Sequence, residues 1–380
     1  MRLGNLGADA KNLKDKDYSN RTTGVSAKAV LYREADGAKY EVDLPLTSLV
    51  DVKKMMSDLG LPSYIDLEYF PMRSAIATIW ASQRAYEMHK LYAKAYEKEI
   101  SNKFIAALLF GGAAMKVHCE HSNGKGALSR SIKDTDFIVP KSQGSSFCKL
   151  LLNMAEAFGT QFKFFRTKSD LLFNGMRQGQ RYRIRTINGV TPEGLPTVTV
   201  LDIFCDYIDL RHKIEVKDSF ERSRDNLYTI GLEYLILSKS QFIMDLPRAD
   251  IHVLKEHRQE FRVLPYNYYS PDKVVLGMEE KDLKDVCAVF LDHPIGKGKE
   301  EIDKDKMRKT LDKDKKLALT VTLNLQNMVQ RTELLEKWMK KGEIATVVER
   351  MQTLLNVLPQ VDKKWNKPWW NTAVETPLIQ

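Results

Sequence analysis

Phe110-Gly111-Gly112 and, 22 residues after Gly112, Asp134-Thr135-Asp136-Phe137-Ile138-Val139 form the stretch around which the chain is organised. The apolar run Phe104 to Phe110 reads as a buried strand ending at the glycine pair, and Ala113 to Glu120 as a helix packed close to that turn. A loop from His121 to Ser131, rich in Gly, Ser and Asn, delivers the chain to a second strand headed by Asp134. Side chains alternate along a strand, so Asp134 and Asp136 share a face and Thr135 points away. Two carboxylates placed in this way are ready ligands for a hard divalent cation.

Downstream, Gln143 to Phe158 resumes a helical pattern. Phe162–Phe165, Tyr182–Ile187 and Val198–Phe204 then read as strands, with Asn188-Gly189 and Pro192-Glu193-Gly194 marking the turn between the last two. The Val198 strand carries Asp202 in phase with Val198, Val200 and Phe204, and a carboxylate on an apolar face signals a partner or a site. Asp202 is therefore the third metal-ligand candidate, with Asp206 in reserve. Upstream, Ala27 to Leu44 reads as a hairpin about Asp36-Gly37, Thr47 opens a short helix that stops near Gly60, and Ser74 to Ile100 is a long helix. Its Arg84, Lys90, Lys94 and Lys98 read as a solvated basic face. Helices follow over Gly231–Met244, Glu279–Phe290 and Leu317–Leu358, and the mixed charges of Asp303–Lys316 read as a solvated loop or helix.

A chain of 380 residues with a formal charge of +9 and pI near 9.1 is long enough for two or three domains, and its basic balance favours a polyanionic partner such as nucleic acid. Cys119, Cys148, Cys205 and Cys287 lie too far apart for a zinc or disulfide framework, which points to a reducing cytoplasm. No apolar stretch is long enough for a bilayer, so no membrane partner is expected. His118-Cys119-Glu120-His121 offers no zinc site by itself, because adjacent residues on a helix point in different directions and the sequence shows no matching second half. The aromatic and basic end, Lys363 to Trp370, fits either an RNA-stacking platform or an aromatic tail docked on the body, with docking preferred.

Three carboxylates on neighbouring strands repel one another by roughly 4 kcal/mol per pair at about 4 Å and an effective dielectric of about 20. Two magnesium ions, for which Mn2+ can substitute, would relieve that repulsion and perform the chemistry of a phosphoryl or nucleotidyl transferase. The glycine pair lets backbone N–H groups and a helix N-terminus approach a triphosphate, while Lys116, Arg130 and Lys133 could neutralise phosphate charge.

The Phe110 to Ala114 turn, Arg130 to Asp136 and the Asp202 strand together resemble the nucleotidyltransferase superfamily that includes DNA polymerase beta. Within it, the chain is most similar to AbiEii/AbiGii-type toxin nucleotidyltransferases of toxin–antitoxin and phage-abortive systems. That similarity extends to Glu233 to Lys239 and Glu280 to Val286 and covers about residues 100–290. The resemblance implies a glycine turn for the triphosphate, aspartates for magnesium, a lysine at Lys239 reaching the nucleotide phosphates, and Asp282 or Asp285 in or near the site. The spacing from the glycines to the aspartates is longer than the family's usual one, and so is the spacing from the lysine to Lys281, Asp282 and Asp285.

The expected fold is α+β: a nucleotidyltransferase mixed sheet with flanking helices, followed by a helical C-terminal domain. The expected divisions are an N-terminal region over 1–99, a core over 100–216 and a helical domain over 217–380. The expected activity is magnesium-dependent transfer of an NMP from an NTP, ATP among the candidates, to an RNA acceptor such as a tRNA 3′ end, with a protein antitoxin as a partner. Asp134 and Asp136 hold the metals and Asp202 helps to activate the acceptor hydroxyl. The alternatives are nucleotide transfer to a protein side chain and a non-catalytic RNA- or protein-binding module.

Overall fold

The computed structural model describes residues 26–32, 39–45, 49–67, 69–95, 107–124, 126–153, 164–190, 196–225, 227–242, 278–361 and 369–371. The chain is α+β, with a mixed sheet and many helices, and it divides into two compact units. The first comprises Met1–Val117, Ser131–Tyr207 and Val216–Ile230, and the second His118–Arg130, Ile208–Glu215 and Gly231–Gln380.

In the first unit, β1 (Ser26–Tyr32) and β2 (Lys39–Pro45) form the expected antiparallel hairpin, whose Asp36-Gly37 turn lies outside the described residues. Helix α1 (Leu49–Leu59) buries Val52, Met55, Met56 and Leu59, the spacing of one helical face. Helix α2 (Phe70–Ala95) starts four residues earlier than Ser74, with Pro71 in its first turn where a missing N–H costs nothing. Arg84 is exposed as expected and lies over the Trp80 ring, while Lys98 and the side chains of Lys90 and Lys94 lie outside the described residues.

The sheet follows the order β3-β4-β7-β6-β5, formed by β3 (Leu108–Phe110), β4 (Asp134–Val139), β5 (Phe164–Phe165), β6 (Arg181–Val190) and β7 (Pro196–Cys205). β4 runs antiparallel to β3 and parallel to β7, and β7 is antiparallel to β6. One face carries Thr135, Phe137, Leu201, Ile203 and Ile184, all buried. Helices α2 and α4 (Gly144–Leu152) cover it: Thr135 Oγ1 donates to the Pro71 carbonyl at 3.2 Å, and Phe147 packs edge-on to Phe137 with ring centres 5.7 Å apart. Gly144 brings the α4 backbone against Tyr182 and Cys205, where a Cβ would meet the Tyr182 ring at 2.7 Å. The other face mixes the buried apolar residues Leu108, Phe110, Ile138 and Phe204 with the charged residues of the candidate site.

Asn188-Gly189, read from the sequence as a turn, instead lies within β6, where the register against β7 shifts between Ile187 and Gly189. A glycine in a strand marks a bulge as readily as a turn. Pro192-Glu193-Gly194 lies outside the described residues. Helix α5 (Lys168–Met176) has no counterpart in the sequence reading; Thr167 and Asp170 cap its start reciprocally.

The second unit contains the short pair of β8 (Tyr207–Asp209), from Ile208 onward, and β9 (Lys213–Glu215), then α6 (Leu232–Ser240), α7 (Glu280–Asp292), α8 (Lys304–Lys313), α9 (Lys315–Gln330) and α10 (Lys341–Leu355). α6 is buried on nearly every side, so it is the central helix of this unit. The charged run Asp303–Lys316 forms two helix starts, with Asp303 and Asp314 each accepting two backbone N–H bonds, and Met307 and Leu311 turned inward. Trp369 and Trp370 are docked rather than free: they are 2% and 6% exposed and cluster with Leu319, Leu323 and Val361. Trp365 lies outside the described residues. Among the described residues, no helix is long and apolar enough to cross a membrane.

Candidate functional site

Strand register builds the site of the first unit. Phe110 on β3 stands opposite Asp136 on β4, Asp136 lies beside Asp202 on β7, and Asp202 stands opposite Arg183 on β6. Asp134 lies one alternation away, beside Val200, on the same face. Asp134 is exposed, Asp136 half-buried and Asp202 only 5% exposed. The chain leaves β3 through Gly111 at φ +65°, the left-handed region that glycine enters without a steric penalty. A Cβ on Gly111 would collide with Oδ2 of Asp136, so the turn and the carboxylate are fitted to one another. Gly112, half-exposed, follows in α3 (Gly111–His118).

The cations facing these carboxylates come from β6, whose Arg181, Arg183 and Arg185 alternate with inward Tyr182 and Ile184. Arg183 holds Asp202 with two bonds, Nε to Oδ1 at 2.9 Å and Nη2 to Oδ2 at 3.1 Å, and Arg181 Nη2 adds a third to Oδ2 at 2.6 Å. Burial alone would raise the Asp202 carboxyl, but Arg181 and Arg183 outweigh it and hold the group below the ordinary carboxylate range. Arg181 also lies over the Phe204 ring, 4.1 Å from its centre. Arg185 pairs with Asp170 of α5 at 2.8 Å, and Asn174 of the same helix accepts from the Arg183 backbone N–H at 2.6 Å. The Arg-x-Arg-x-Arg alternation of β6, which the strand pattern of Tyr182–Ile187 alone does not single out, places three guanidinium groups on the carboxylate face.

Other candidates in this unit are placed differently. Lys116 is 1% exposed, with its ammonium over the Tyr69 ring at 5.0 Å. Lys133 is exposed next to Asp134 in the chain. Asp206, at φ +61°, accepts from the Lys141 backbone N–H at 3.0 Å just past the end of β7.

Comparisons with family models, curated proteins and solved structures find no match.

The second unit gathers the remaining candidates into a cluster of their own. Lys239, near the end of α6, reaches Asp285 at 2.9 Å and Asp282 at 3.3 Å, both on α7, and Arg130 grips Asp285 through Nε at 2.9 Å and Nη2 at 2.6 Å. Asp282 and Asp285 are 1% and 2% exposed, so Lys239 is an interior ion-pair partner rather than a snorkelling surface lysine. Burial works against its charge, yet Asp285 and Asp282 hold Lys239 above the ordinary lysine range. Burial pushes Asp282 up despite Lys239, whereas Lys239 and Arg130 overcome burial at Asp285 and hold it low. Lys281 is turned out to Glu279 at 2.9 Å and takes no part in this cluster.

The long connection after α3 is anchored within the second unit. The His121 backbone N–H donates to Asp292 at 3.1 Å, the His121 ring also bonds Asp292, Leu128 is buried, and Arg130 closes the segment on Asp285.

Proposed function

We propose that this chain is a nucleotidyltransferase that moves an NMP from an NTP to an acceptor hydroxyl, with the carboxylate-bearing face of its sheet as the site. The observation that carries the reading is the register placing Asp136 beside Asp202 and Asp134 on the same face, with Gly111 at left-handed φ against Asp136. Asp134 and Asp136 fit a magnesium ion, being oxygen donors on one face with one exposed and one half-buried. When bound, magnesium supplies positive charge for the triphosphate and makes the acceptor hydroxyl more acidic.

Asp202 enters this reading through its arginines. A carboxylate held below its ordinary range by Arg181 and Arg183 is a poor proton acceptor, so Asp202 serves here to orient the two guanidinium groups. Those groups give the face fixed donors for phosphate oxygens, with geometry suited to paired contacts. The α3 N-terminus adds backbone N–H groups of the kind that bind anions. An RNA acceptor, such as a tRNA 3′ end, is favoured by the formal charge of +9.

The test is incubation of the full chain with each labelled NTP, magnesium and total RNA. Label on RNA supports the proposal, while label on protein moves the acceptor to a side chain, such as one on an antitoxin. Asp134→Ala with Asp136→Ala is expected to reduce transfer by at least about 10²-fold, with the circular-dichroism spectrum unchanged. Transfer by that double variant at the unmutated rate removes the site from the carboxylate face.

A further inference from the structure

Apart from these carboxylates, one cluster among the described residues of the second unit brings three metal-binding side chains together. His118 ends α3, His293 follows α7, and Glu300 lies in the turn that leads to Ile302. Their ligating atoms all lie within 4.8 Å of one another. His118 Nδ1 is 3.0 Å from Glu300 Oε2, and His293 Nδ1 is 3.9 Å from the same oxygen. Four donors about 2.0–2.1 Å from a tetrahedral zinc lie about 3.3 Å from each other, and these two distances bracket that value.

The surroundings of His293 give the cluster direction. Its Nε2 faces the His118 carbonyl at 3.2 Å, an oxygen that can only accept, which suits an Nε2–H donor and leaves Nδ1 as the ligating nitrogen. Nδ1 faces two oxygens of Glu300, the carbonyl at 2.9 Å and the carboxylate at 3.9 Å. A proton on Nδ1, or a metal ion that displaces it, satisfies these converging oxygens. An imidazole whose second nitrogen is fixed by a backbone carbonyl is also the usual arrangement of a metal-bound histidine. Both imidazoles are buried, and the Glu300 side chain is 53% exposed, which gives an ion a route in from solvent.

We propose that His118, His293 and Glu300 form a site for a zinc-like divalent cation that clips the end of α3 to the Pro294–Ile302 turn. Two nitrogens and one oxygen suit Zn2+ or Co2+ and disfavour Mg2+, which takes oxygen ligands. The site is thus chemically separate from the carboxylate face, and its test does not depend on any transferase activity. It also supplies, from residues far away in sequence, the second half that the His118–His121 stretch lacks on its own.

The experiment is titration of the chelator-stripped full chain with Zn2+ and Co2+. The expected result is one tight equivalent, a visible Co2+ spectrum of nitrogen and oxygen ligation, a zinc-dependent rise in Tm, and no displacement by millimolar Mg2+. His118→Ala and Glu300→Gln should each weaken uptake at least tenfold and abolish the zinc-dependent rise. Because His118 is buried, Glu300→Gln at the exposed ligand is the variant that keeps the fold intact. No uptake, equal uptake by Glu300→Gln and the unmutated chain, displacement by Mg2+, or a thiolate-to-cobalt band placing the ion on Cys119 would each overturn the proposal.

Discussion

At the scale of single residues, the carboxylate face of the sheet is set by which charges balance which. Gly111→Ala would force a Cβ into a left-handed position and into Asp136. The conformation alone costs about 1–2 kcal/mol, and the collision adds to it; a lower urea midpoint with unchanged m-value is the expected readout. The pH response follows from the buried titratable groups. His212 is held down to about 4, chiefly by burial, against an ordinary 6.5. Between those values the unfolded chain takes up a proton that the folded chain refuses, so stability falls as pH drops through that window. Asp202, Asp285 and Asp170 extend the loss. Each is held below the ordinary 3.8, so the stability it contributes is complete above that value and disappears as pH falls towards its folded pKa. Asp282, raised by burial, has the opposite sign and softens the acid limb. Urea melts at intervals from pH 7 to 3 should show a first decline below about 6.5 and a steeper one below about 4. A stability flat down to pH 4 would contradict the placement of His212 beside Thr320 at 2.8 Å.

Secondary-structure elements explain why some of this was readable in advance and some was not. Strand alternation has a period of two whatever the neighbours are, so Asp134-Thr135-Asp136 disclosed its two-faced character directly, and Thr135 does turn inward to Pro71. The partner of Asp202 was not readable in the same way. It depends on the register between two strands, and no local pattern says that Arg183 rather than another cation lands opposite it. Helix α5 was missed because its apolar residues do not face a core: Leu171, Leu172 and Met176 are 52%, 70% and 76% exposed. The readable sign was the Thr167-to-Asp170 capping box. The long connection from Cys119 to Ser131 has a loop's composition. Its buried Leu128 and the Arg130 pair to Asp285 make it structural, because deletion would strip a buried carboxylate of a partner. The tryptophan end behaves as a docked element, and the Trp369 indole donates to Thr320 Oγ1 at 3.0 Å. Trp369→Ala is therefore expected to cost about 3–5 kcal/mol, measured by chemical denaturation, with little effect on RNA affinity. A loss of affinity without a loss of stability would restore the stacking role.

For the molecule as a whole, the units are interleaved along the chain: His118–Arg130 and Ile208–Glu215 belong with the helical unit, although each is flanked by segments of the sheet-containing one. A fragment starting at Gly231 is expected to be poorly folded by circular dichroism and amide exchange, since it has Asp285 without Arg130 and Trp369 without the His212 and Thr320 pairing. Cooperative unfolding of that fragment at the stability of the full chain would show that the interleaved segments are dispensable. The interleaving also constrains inheritance. An exchange between related genes that replaced everything after Gly231 would deliver Asp285 and Glu300 from one parent and Arg130 and His118 from the other, so these positions can drift only in concert across a single recombination breakpoint.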